Sequence, residues 1–209
     1  MQAALNPVGI HRPVAEEEAA RADFYALLSA LFSRAPDEKL LRSLALAAPL
    51  EGGDQALAKA WSELVAASGV MDPEAAAEEF ETLFVGVGKA KVSSFAGYYQ
   101  AGAMAVEHPR VRIIADLAAL GLGRPAGVTD PEDHYAGLFD VMRILVMGGA
   151  GRQPASVAEQ KRFYETHIQP GVGRFFAAVR GAPESNYYRK VAAVGEAFVG
   201  IENESFNLG

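Results

Sequence analysis

Cysteine is absent from all 209 residues, which removes disulfides, thiolate metal sites, iron–sulfur ligation and a cysteine nucleophile from consideration. Basic side chains are in the minority, 19 against 26 acidic, for a net charge of -7. Phosphate binding wants clustered lysine and arginine, so nucleic acid is disfavoured and a basic partner is favoured. No apolar run approaches the roughly 20 residues of a membrane span. Met1 to Pro13 lacks the cationic start and apolar stretch of an export signal. These absences lead to the expectation of a cytoplasmic chain with no membrane span. Alternating strand patterns and internal repeats are also missing.

What the chain has is helical periodicity. Half of its residues are hydrophobic, enough for one substantial core, and its length suits a single domain over 1–209, with 1–13 flexible. Phe24, Leu27, Leu28, Leu31 and Phe32 form one stripe of a helix from about Val14 to Arg34, with Glu16, Glu17 and Glu18 in its first turns. Helices are expected over Asp37–Ala48 and Asp54–Ser68. Another, opened by Asp72-Pro73, carries Phe80, Leu83 and Phe84 to about Gly86 or Gly88. Gly86 to Ser94 reads as a surface loop, after which helix resumes around Tyr98 and again from Pro109 to Gly121.

The glycine-rich run Gly121 to Gly127 places a hinge near 121–130. Beyond it, Tyr135, Leu138, Phe139, Met142, Leu145 and Val146 make a strong stripe closed by Gly148-Gly149. Ser156-x-x-Glu159 is a capping box, and a short helix follows Pro170. The last helix runs from Tyr187 to Ile201, with Glu202 to Gly209 expected to fray. The expected architecture is all-α, a bundle of about nine helices.

Recognisable catalytic patterns are scarce. Gly86-Val87-Gly88-Lys89 lacks the first glycine and the hydroxyl residue of a phosphate-binding loop, and Gly121-Leu122-Gly123 lacks the third glycine of a dinucleotide fingerprint. His11, His108, His134 and His167 are far apart, and none forms the i, i+4 pair of a zinc helix. A metal-dependent hydrolase around His134 remains one alternative; a helical peptide-binding adaptor is another.

Two segments carry more information. Phe80, Leu83 and Phe84 at i, i+3, i+4 make a core stripe or, where exposed, the wall of a peptide groove, and Phe95 and Tyr99 read the same way. Asp130-Pro131-Glu132-Asp133-His134 is a well-formed helix start, and its acids are also suited to receive a guanidinium, with His134 titrating nearby.

Taken in order, these pieces resemble the TorD/DmsD family of redox-enzyme maturation chaperones, with NarJ as a more distant relative. Phe80-x-x-Leu83-Phe84 is similar to the family's aromatic-x-x-Leu-Phe helix. Ser94-Phe95-Ala96-Gly97-Tyr98-Tyr99 resembles its Pro-Trp-x-Ser-x-Tyr segment. Pro131-x-Asp133-His134 resembles its Pro-x-Asp-His signature, and His167-Ile168-Gln169-Pro170 its His-Leu-x-Pro element; Tyr25 sits where the first helix often has an aromatic. Departures are Ser94-Phe95 for Pro-Trp, Val87 for a proline, and Gly171 for a tryptophan.

The resemblance implies a TorD-like fold and a non-enzymatic, cytoplasmic chaperone without cofactor. Its partners would be an apo-molybdoenzyme and that enzyme's twin-arginine signal peptide, held until cofactor insertion precedes export. It implies a peptide site at Tyr25, Phe80, Leu83, Phe84, Phe95, Tyr99, Asp130, Pro131, Asp133 and His134. A glycine-rich hinge is also compatible with a domain-swapped homodimer.

Overall fold

A computed structural model describes residues 16–86, 90–100, 109–123, 127, 130–149 and 152–208. The expected flexible segment 1–13, the start of the first helix at Val14, Gly88, His11, His108 and the middle of the 121–130 hinge lie outside the described residues.

Acidic caps open the helices of the first half. α1 spans Glu16–Ser33, with its three first-turn glutamates facing the positive helix end. Asp37 caps α2, Glu38–Ala45, through the Leu40 N–H, and Asp54 caps α3, Gln55–Val70, through the Leu57 N–H. α2 is shorter than its sequence suggests because the Trp61 indole donates to the Ala48 carbonyl and holds that stretch as a connection. Asp72 caps α4, Pro73–Phe80, with Pro73 in its first turn.

The helix carrying Leu83 and Phe84 does not continue as α. Residues Glu81–Val85 form a π turn that ends at Gly86, whose φ of 67° suits only glycine without strain. The widened turn leaves the Leu83 carbonyl to accept the Val92 N–H at 2.8 Å, which ties down the segment expected as a loop. α5, Ala96–Gln100, and α6, Pro109–Ala119, follow. α7 spans Tyr135–Met147, α8 Val157–His167 behind the expected capping box, and α9 Gln169–Gly181. The described residues thus hold ten α-helices and one π turn, an all-α bundle.

The last helix corrects one expectation. α10 runs from Tyr187 to Leu208, so the polar tail is helical instead of frayed. Its Glu202, 1% exposed, receives the Arg21 guanidinium from α1 through Nε at 2.7 Å and Nη2 at 2.8 Å, and the Tyr25 hydroxyl at 2.6 Å. Burial first, and then the neighbouring carboxylate, pushes the Tyr25 phenol well above its ordinary range, so it remains a donor. At the other end of α10, Glu79 from α4 accepts the N–H groups of Asn186, Tyr187 and Tyr188 at 2.8–3.0 Å, supplying the cap that local sequence lacks.

α1 lies along α7, and α10 packs on both α9 and α3. Their shared core is strongly aromatic: Phe175 stacks on Tyr135 at 4.6 Å and meets Phe32 edge-on at 4.9 Å, while Phe139 stacks on Phe176. Close packing explains Gly195, where a Cβ would come within 2.4 Å of the Phe176 ring.

Candidate functional site

The segment around Phe95, and not the one carrying Phe80, Leu83 and Phe84, meets Asp130–His134 in space. The Ala96 N–H donates to the Asp133 carbonyl at 2.8 Å and the Tyr135 N–H to the Ser94 carbonyl at 2.9 Å, an isolated antiparallel bridge between Phe95 and His134. The Asp133 carboxylate accepts the Gly97 N–H at 3.3 Å and is 5% exposed. Its position fixes the start of α5 against the start of α7. His134 caps α7, with Nδ1 accepting the Ala136 N–H, and meets the Phe95 ring edge-on at 5.4 Å.

That cap requires an unprotonated Nδ1. Burial lowers the His134 pKa below the ordinary histidine value, against the opposing pull of Asp130 and Asp133. The stability contributed by neutral His134 is therefore fully present above about pH 6.5 and is lost as pH falls through the lower folded value. His167, which bonds Asp116 at 2.7 Å, is shifted in the same direction because burial outweighs the carboxylate. We expect the urea midpoint to fall between pH 7.5 and 5.5, and to fall less in His134→Asn, whose amide caps without titrating. Equal losses in both proteins would remove His134 from this account.

Beside the bridge is a cavity of about 240 Å³ between α1, α6, α7 and the turn preceding α7. Asp130, Pro131 and His134 line it. Its apolar floor comes from Leu117, Leu122, Val141 and Ile144, and its acids are Asp130, Glu132 and Asp140. Glu132 is bonded by the Arg110 guanidinium at 2.8 Å, and Asp140 by Arg143 at 2.7 Å, so Asp130 is the most exposed acid of the rim.

The other sequence-derived candidates lie away from this cavity. Tyr25 and Leu83 are buried in the core, and Tyr99 is buried with its hydroxyl donating to the Ser93 carbonyl. Phe80 and Phe84 are partly buried and lean on Tyr188 at 5.8 and 5.0 Å. Phe95 remains 36% exposed at the bridge. Asp140, Val141 and Ile144 lie on a second face of α7, displaced from the Tyr135–Leu138–Met142 stripe, and sequence reasoning missed them because only the core stripe stands out from periodicity.

Among the described residues, no three histidines and carboxylates converge to hold a metal ion, and no helix is long and apolar enough to cross a membrane. Residues 50–177 match the family model described as nitrate reductase delta subunit, an interval containing the π turn, the Phe95–His134 bridge and every lining residue of the cavity except Ser29 and Ser33 of α1. A comparison with curated proteins finds no match. With more than half its length matched, and with an all-α bundle around the expected segments, the chain belongs to the nitrate reductase delta subunit family and is a maturation chaperone of the TorD/DmsD type.

Proposed function

We propose that this chaperone binds the twin-arginine leader of an apo-molybdoenzyme in the cytoplasm and holds it in the cavity beside α7 until the cofactor is inserted. The observation that carries this reading is the cavity itself, an apolar floor rimmed by three carboxylates in an acidic protein. A leader offers the complement: two guanidiniums, which pair with carboxylates in planar geometry, followed by apolar side chains for the floor. Asp130 at the exposed rim receives the first of these charges. Asp133 and His134 act as positioning residues, because Asp133 Oδ2 and His134 Nδ1 are committed to the Gly97 and Ala136 N–H groups. Tyr25, Phe80, Leu83 and Phe84 support the scaffold, and Phe95 and Tyr99 hold the turn against which the rim is built.

Calorimetric titration tests this with a leader peptide carrying Arg-Arg and a matched peptide carrying Gln-Gln. The arginine peptide should bind about tenfold more tightly at low salt, with the margin shrinking as salt rises. Equal affinity for the two peptides would contradict the assignment of the acidic rim.

A further inference from the structure

Past Ile144 the surface depression continues. A second cavity of about 540 Å³ lies where α7 ends, and it shares Leu122 and Ile144 with the first. Its charged lining is opposite in sign: Arg143 and Arg152, with no acid among its described lining residues. Arg143 bonds Asp140 through Nε, and Arg152 donates through Nη1 to the Leu120 carbonyl. A guanidinium carries five N–H donors, so one such bond fixes its orientation while its fork still suits a carboxylate. Glu159, at the start of α8, feels the positive charge of Arg152. In a chain of net charge -7, the Asp140–Arg143 pair marks the border of the two cavities, with Asp130 and Glu132 on one side of it and Arg152 on the other.

We propose that the furrow is bipolar and reads a third feature of its peptide, an acidic side chain beyond the apolar stretch, bound at Arg143 and Arg152. The proposal rests on the leader-binding reading above and adds a direction to it: cationic residues at Asp130, apolar residues over Leu122 and Ile144, carboxylate at the arginines. The geometry also sets a spacing. From His134 to Gly148, α7 rises about 21 Å at 1.5 Å per residue, which an extended peptide covers in roughly six residues.

The test uses the full-length protein and peptides labelled at one end, read by fluorescence anisotropy. All share an Arg-Arg start and one apolar centre, and differ in having Glu, Gln or Lys at the sixth position after the arginines. The wild type should prefer Glu to Lys by about tenfold, and the order should invert in Arg143→Glu. Moving the Glu to the second position should abolish its advantage. Arg143→Gln, with no new charge beside Asp140, should level the three peptides and guards against a misfolded first variant. If Glu, Gln and Lys peptides bind the wild type within about twofold of one another while the Arg-Arg dependence persists, the bipolar furrow is overturned and leader binding stands. If no peptide binds, both are overturned.

Discussion

Glu202→Ala should lower the unfolding free energy by roughly 3–5 kcal/mol, the cost of breaking a buried ion pair from one side. The carboxylate is surrounded by its donors: Arg21 grips it through two nitrogens and Tyr25 adds a third bond. Removing it strands a guanidinium with only 17% of its side chain exposed and a fully buried hydroxyl. Glu18 and Gln160 keep contacts with Arg21, which places the loss toward the lower end of that range. Glu202→Gln preserves the volume and accepts one bond, so its loss should be smaller. Chemical denaturation of the two variants measures this directly. A wild-type midpoint in Glu202→Ala would mean that the end of α10 contributes nothing to holding α1.

Leu83→Ala should cost about 2–5 kcal/mol, the range for removing a large aliphatic side chain from a packed interior. Leu83 has no exposed surface, although it sits one residue from Phe84 in the π turn. Its backbone carbonyl holds Val92 and so anchors the segment that reaches the Phe95–His134 bridge. The loss should appear in the denaturation midpoint, with peptide affinity nearly unchanged in the folded fraction. An Leu83→Ala protein of normal stability that binds peptide poorly would instead assign this side chain to the peptide.

Helix starts were legible from local sequence. Asp37, Asp54, Asp72 and Ser156 all cap as their spacing suggests, because an N-cap bond closes within three residues. The end of α10 was illegible for the opposite reason: Glu202 looks like a solvated tail residue until Arg21, 181 positions away, neutralises it. The π turn keeps the same i, i+3, i+4 pattern as an α-helix, so Phe80, Leu83 and Phe84 announce a buried face without the bulge. At the candidate site, Asp130-Pro131-Glu132-Asp133-His134 borders a cavity, but which of its acids faces that cavity depends on the Gly97 N–H claiming Asp133. Val141 and Ile144 of the floor were hidden because they belong to the second face of α7.

Gly137 offers the sharpest test of the central claim, that the cavity beside α7 receives the peptide. It lines the cavity from an exposed position inside α7, and a Cβ there would meet no atom within 4 Å. Gly137→Ala should raise stability by about 0.5–1 kcal/mol through helix propensity and leave the opening clear. Gly137→Trp fills the opening without disturbing the core. The decisive measurement is the affinity of an Arg-Arg leader peptide for these two variants side by side. The account predicts wild-type binding by Gly137→Ala and a loss of about thirtyfold or more in a folded Gly137→Trp; full affinity in Gly137→Trp would contradict it.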